Sequence, residues 1–451
     1  MRTATTRLSA ELPLHEGGAR AGPLDATAVL TWYLIVLLGF PAALIFAPLG
    51  SAGTPATVLS LGGLLLWGWY HLSRTESFTT HHQPVRIVAL VFLLVMVACF
   101  AHAMLRPIAA EEVSTATSGL LRLLSLAGVL LVAHDGVTSY DAFHTVLRRI
   151  ALGGGGLAGL ALLQFVTRQP FVDRIQIPGL VWNTPLDVLD RGGFYRVAAT
   201  ATHSIELGVA LAMILPLAVT VAFTSTGGRR VLHWGITVAI GLTLFLTISR
   251  SAMLSAFVAV AFMLPVWSSR TRRLVLAGGV ATSGFVYMLV PGLLGTLLGL
   301  FSGVESDPSA LSRTNAYAFA FTFVRRSPFL GRGVATFLPP YVILDNEYLL
   351  FLIEAGIVGL ASLLGLLFTA VLSARAARLL SVSDADRQAS QAIGASVAGG
   401  ACGAVFFDGF SFPIVVGLLF LAVGLCGAAL ELARKARSQE VLSPMQRPGV
   451  S

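Results

Sequence analysis

The chain has 451 residues, 55% hydrophobic and 12% charged, with a mean hydropathy of +0.81. A soluble domain carries about 25% charged residues and lacks repeated apolar runs of about 20 residues, so this composition excludes an ordinary soluble fold. The formal net charge of +8 stands mostly at the ends of apolar runs, where membrane topology accounts for it better than nucleic acid does.

In chain order, residues 1–26 are polar and too long before the first apolar run for a cleaved signal, and read as a cytoplasmic tail. Residues 27–431 read as an all-α polytopic membrane bundle of about 12 transmembrane helices. The runs lie near 27–47, 53–70, 86–104, 118–133, 149–166, 204–223, 231–248, 251–268, 274–300, 348–373, 391–407 and 412–431. Residues 432–451 read as a second basic tail. The run Gly153 to Gly156 suits close helix packing and not phosphate binding, since no GK[ST] follows. Cys99, Cys402 and Cys426 each sit in an apolar run without a CxxC pair, so they read as packing residues, and His81–His82 as loop chemistry. No metal site and no cofactor are expected.

Arginines fix the expected orientation. One set of loops holds Arg74, Arg86, Arg148, Arg149, Arg229, Arg230, Arg270, Arg272, Arg273, Arg375, Arg378 and Arg387, and both tails are basic. Positive-inside places these loops and both termini in the cytoplasm, in the cytoplasmic (inner) membrane. Two longer loops, 167–203 and 301–347, then lie outside. They carry Arg168, Arg174, Arg191 and Arg196 in one, and Arg313, Arg325, Arg326 and Arg332 in the other. Outside arginines run against the insertion bias, and an anionic ligand at the outer face is the simplest reason to keep them.

Three segments concentrate the polar residues. In YRVAATATHSIELG, Arg196 and His203 precede an apolar run and Glu206 stands just inside it; snorkelling and a helix-start carboxylate are the plain alternatives. In LTISRSAML, Arg250 sits at a tight connection between two apolar runs, where an arginine faces a cavity or a partner. The third runs from Ser312 to Leu360. It holds Arg313, an amphipathic helix ending at Arg325–Arg326, the turn SPFLGRG, Asp345–Asn346 at the mouth of a run, and Glu354 and Gly356 inside it. A carboxylate at Glu354 needs a partner, which is either a ligand or an arginine that only holds helices together.

These segments resemble the O-antigen ligase and polymerase superfamily of membrane glycosyltransferases. The similarity rests on Arg196 with its following run, Thr247–Ile248–Ser249–Arg250, Pro328 to Gly333, and Asp345 to Leu360. Asn346, nine residues, Gly356, two residues, Gly359 matches the ligase-type spacing, and the resemblance covers about residues 195–430. One departure stands out: ligases carry histidine where this chain has Asp345. Either group accepts a proton at neutral pH, so ligase and polymerase both stay open.

The resemblance implies a GT-C-like fold and transfer of a glycan from a polyprenyl diphosphate carrier such as undecaprenyl diphosphate, in lipopolysaccharide or exopolysaccharide biosynthesis. It implies catalytic roles for Arg196, Arg250 and Asp345, without a metal. Arg313, Arg326, Arg332, Asn346, Glu354 and His203 are the expected substrate-binding residues. The expected partners are the glycan donor, a glycan or lipid acceptor and membrane lipid, with no nucleic acid. The alternative is a secondary transporter of an anionic or small polar solute, suggested by Arg122, Glu206, Glu354 and Asp408 in or beside apolar runs.

Overall fold

The computed structural model describes residues 25–73, 83–183, 190–191, 194–293, 295, 317, 319–338, 341 and 344–442. Among these residues twelve helices have at least 14 residues. They are α1 (Ala26–Gly39), α2 (Pro55–Leu72), α3 (Pro84–Met104), α4 (Ala110–Gly136), α5 (Tyr140–Thr167), α6 (Ser204–Thr224), α7 (Gly227–Leu246), α8 (Arg250–Met263), α9 (Ser269–Leu289), α10 (Glu347–Leu380), α11 (Asp384–Gly403) and α12 (Pro413–Leu442).

Each helix overlaps one apolar run read from the sequence, but only seven are long and apolar enough to cross a membrane. These are α3, α4, α5, α6, α7, α10 and α12. The other five fall short for physical reasons. α1 and α8 have 14 residues each, about 21 Å at 1.5 Å per residue, against a hydrocarbon core of about 30 Å. Arg270, Arg272 and Arg273 fill the first turn of α9, α11 opens on Asp384, Asp386 and Arg387, and three glycines dilute α2. The expected run 27–47 is cut short at Gly39 because Pro41 pushes Phe40 out of the helical region. Past it, Leu44–Ile45 (β1) pairs antiparallel with Val181–Trp182 (β2), and Asp190–Arg191 (β3) pairs with Phe194–Tyr195 (β4).

Short polar side chains start most helices. Asp25, Thr54, Ser139, Ser249, Ser268 and Ser383 each accept an amide of the first turn. The core runs through α6 and α12, whose apolar windows are 83% and 94% buried, while the outward faces of α2, α3 and α9 stay apolar and exposed, as lipid contact requires. A Cβ on Gly153, Gly154 or Gly155 would come within 2.5, 2.6 and 2.9 Å of Leu38, Ile214 and Ile236, so this run lets α5 sit tight between α1, α6 and α7.

The ends of odd helices and the starts of even helices meet at one end of the bundle. Ala42 donates to the Thr200 carbonyl, Asn183 to Ala43, Ile414 to Glu206, and Glu347 to Ala404. At the other end, Asp135 is held by Trp67 at 2.8 Å, His134 at 2.7 Å and Arg86 at 3.4 Å, and His144 meets Asp386 at 2.7 Å. The described loop arginines that set the expected cytoplasmic side belong to this second end; Arg74 lies outside the described residues.

Candidate functional site

The first segment leads into α6 with its polar groups engaged. His203 is the N-cap of α6, its Nδ1 accepting from the Ile205 amide at 3.0 Å. The buried Glu206 carboxylate accepts from the Thr202 amide and hydroxyl at 2.8 Å and from the Ile414 amide at 2.7 Å. It therefore ties the start of α12 to the start of α6. Arg196 is buried, and its Nε donates to the Thr247 carbonyl at 2.9 Å.

That contact joins the first segment to the second. Thr247, Ile248 and Ser249 turn the chain from α7 to α8, with Ile248 in the left-handed region at φ 48°. Arg250 is the first residue of α8, directly after this tight connection, and Ser249 caps the helix at the Ala252 amide, 3.3 Å away.

The third segment is organised by a break in α10. Gly356 has φ 65° and ψ −168°, so the helical ladder is interrupted there. Five backbone groups at the break find partners outside the helix, as burial in a membrane protein demands. The carbonyls of Ile353 and Glu354 accept from the amides of Arg332 and Gly333 at 2.8 and 2.7 Å, and the Cys99 thiol reaches the Ala355 carbonyl at 3.6 Å. The amides of Ile357 and Val358 donate to Pro328 and Phe329 at 2.8 and 3.2 Å. The turn 328–333 is thereby strapped across α10. Gly331 is needed on both counts: its φ is 67°, and a Cβ would lie 2.3 Å from the Glu354 backbone.

Glu354 completes the strap. Its carboxylate accepts from the Ala335 and Phe337 amides at 2.9 and 3.2 Å. Asn346 is the N-cap of α10, accepting from the Leu349 amide at 3.1 Å, and its Nδ2 faces the Tyr317 hydroxyl at 3.4 Å. Asp345 precedes that cap and lies near Asp408. Residues 319–326 are helical, and the Arg326 guanidinium lies 5.8 Å from the Phe323 ring centre. Arg332 is bound within the protein: its guanidinium pairs with Glu112, reaches the Tyr341 hydroxyl at 2.6 Å and lies 4.6 Å from the Tyr341 ring centre. Arg106 donates to the Arg332 carbonyl. Arg313 lies outside the described residues.

The end of α11 links the two arginine-bearing corners. Gly403 is packed against Ser255 of α8 and Val209 of α6, and the next residue, Ala404, accepts the Glu347 amide at 2.9 Å. Arg196, Arg250 and Asp345 thus surround the same end of the bundle. Asp408, in the connection from α11 to α12, has its carboxyl pushed up to about 6 by burial, against the Ser411 hydroxyl, with Asp345 adding to the rise.

Sequence reasoning passed over Glu112, Arg106 and Glu347, and used Arg122 and Asp408 only for the transporter alternative. The signal for Glu112 was the pair Glu111–Glu112 just ahead of an apolar run, opposite an arginine-bearing turn. Among the described residues no three His, Cys, Asp or Glu side chains gather as metal ligands.

No curated protein matches the chain. Residues 235–364 match the family model described as O-antigen ligase. That stretch runs from α7 through the Thr247–Arg250 connection to the strapped half of α10, and so includes two of the three polar segments. The match supports an O-antigen ligase-like family for this multi-pass helical membrane protein.

Proposed function

We propose that the protein transfers a glycan from a polyprenyl diphosphate carrier to an acceptor hydroxyl at the outer face of the cytoplasmic membrane, either to a final acceptor or to a growing chain. The observation that carries this reading is the Arg196–Thr247 contact, which sets a buried guanidinium beside the start of α8 and Arg250, across the end of α11 from Asp345. Reading the arginine-rich opposite end as cytoplasmic puts this corner outside.

In the proposed step, Asp345 takes the proton of the acceptor hydroxyl, and the acceptor oxygen bonds to the anomeric carbon of the donor. The bond from that carbon to the phosphate oxygen breaks, its electron pair leaves with the polyprenyl diphosphate, and the anomeric configuration inverts. Arg196 and Arg250 bear the charge that develops on the diphosphate, as planar two-pronged donors suited to phosphate oxygens. Arg326 and Arg313 serve as outer binders of the donor. In this reading Glu354, Asn346, His203 and Arg332 shape the site, since their side chains hold the strap, two helix starts and the α4 contact. The chemistry needs no metal.

The test is direct. Purified protein receives a radiolabelled polyprenyl diphosphate glycan and an acceptor, with products sized by gel. Transfer that depends on Arg250 and Asp345 supports the reading. Equal transfer by Arg250→Ala and Asp345→Asn proteins refutes it.

A further inference from the structure

A cavity of about 280 Å³ lies behind the start of α10, between α4, the loop 334–338 and the connection from α11 to α12. Its charged lining is Arg122 from α4, Glu347 and Glu354 from α10, and Asp408 from the connection, with the hydroxyls of Ser51, Thr115 and Ser411 beside them. Phe337, Phe351 and Phe410 supply aromatic walls. None of the residues assigned above to proton transfer or the diphosphate lines it.

The charges are arranged around a gap. Arg122 is attracted by Glu347, Glu354 and Asp408, yet it makes no ion pair or side-chain hydrogen bond with any described residue. The carboxylates have other anchors: Glu354 takes the Ala335 and Phe337 amides, Glu347 takes the Phe410 amide at 2.9 Å, and Asp408 takes the Ser411 hydroxyl. An arginine built only to neutralise three acids could close onto one of them, because direct contact is how a buried pair recovers its desolvation cost. Here Arg122 lines the cavity without closing onto any of the acids that attract it, which leaves it in reach of a ligand.

Chemistry selects the ligand class. With one cation and three carboxylates, a phosphate or other anion is disfavoured. An apolar ligand would leave the guanidinium without hydrogen bonds, which burial makes costly. A pyranose satisfies both demands: its hydroxyls donate to carboxylates and accept from the guanidinium, while its C–H face lies on aromatic rings. The volume falls just under the roughly 300–1,000 Å³ of pockets for drug-sized ligands, which suits one sugar ring. We propose that this cavity is a monosaccharide subsite, holding one uncharged sugar unit of the glycan next to Asp345. The assignment of that sugar to donor or acceptor rests on the transferase reading; the binding itself does not.

The experiment is saturation-transfer NMR on the full chain in lipid nanodiscs, using the methyl glycosides of glucose, galactose, mannose and N-acetylglucosamine. At least one glycoside should receive saturation, and inorganic pyrophosphate should not displace it. Arg122→Lys keeps the charge but loses the fork, and should weaken binding by about tenfold or more. Leu338→Trp fills the cavity from the loop without touching a membrane helix, and should abolish the signal if Arg122→Lys fails to fold. Absence of saturation for all four glycosides in the wild-type protein overturns the proposal, as does displacement by pyrophosphate or survival of the signal in Leu338→Trp. Glycoside binding without any glycan transfer supports the subsite and counts against the transferase reading. Transfer without glycoside binding does the reverse.

Discussion

The Nε of Arg196 donates to the carbonyl of Thr247 at 2.9 Å, joining two segments 51 positions apart into one corner. The contact orients the plane of the guanidinium before any ligand arrives. A lysine there has no Nε–H in a fixed fork, and a carbonyl in a turn gives little latitude.

Arg250→Lys keeps the charge but loses the planar fork, and is expected to insert normally and to lose glycan transfer by about 10²–10³-fold, the loss seen when a fixed donor to a developing negative charge is removed. Transfer measured at matched membrane expression checks this, and near-normal rates assign Arg250 a packing role.

Asp345 and Asn346 should separate cleanly. Asn346 caps α10, so Asn346→Ala should cost about 1 kcal/mol of stability with smaller effects on chemistry. Asp345→Asn should leave stability near wild type and reduce transfer by roughly two to four orders of magnitude. Thermal unfolding and transfer rates on the two proteins decide whether the carboxylate acts as a base.

Gly356→Ala should be severely destabilising, on the order of 3 kcal/mol. Its φ is 65°, and an added Cβ would lie 2.3 Å from the Phe329 carbonyl oxygen. Gly365 on the same helix has nothing within 4 Å of its Cβ position, so Gly365→Ala is the control and should be neutral. The readout is the folded fraction by size-exclusion chromatography after heating.

Asp408 gives a pH dependence. Its carboxyl is raised from 3.8 to about 6, so between those values the folded state binds more protons than the unfolded one. Its contribution to stability is complete below 3.8 and is lost as the pH rises through about 6. Asp408→Asn should raise the unfolding free energy at pH 7.5, by roughly 2 kcal/mol or less given partial exposure, and with it the melting temperature, and change little at pH 4. A parallel pH profile for both proteins rules out Asp408 as the origin.

The helices were legible because apolar length is local: each run read from the sequence overlaps a helix. Their ends were less so, since Pro41 stops α1 well before the apolar residues stop. Whether a helix is also long and apolar enough to cross a bilayer depended on charges at its ends, as in α9 and α11, and on length, as in α8. Within the site, Arg196, Arg250 and Asp345 were visible as polar residues beside apolar runs. Their partners were not. Arg332 meets Glu112 across 220 positions, and Arg122 faces acids from α10 and a distant connection. Such meetings follow from which helices are neighbours and how each is rotated, and neither is encoded in a run of apolar residues.

The amides of Arg332, Gly333, Ile357 and Val358 all donate across the junction at Gly356, in both directions between turn and helix. Neither partner can open without releasing the other. In hydrogen–deuterium exchange these four amides should behave as one cooperative unit, with a shared protection factor despite lying in different elements. The turn thus holds the end of the upper segment Glu347–Ala355 and the start of the lower helix at Ile357 and Val358 together, so a ligand that presses on the turn acts on both halves of α10 at once.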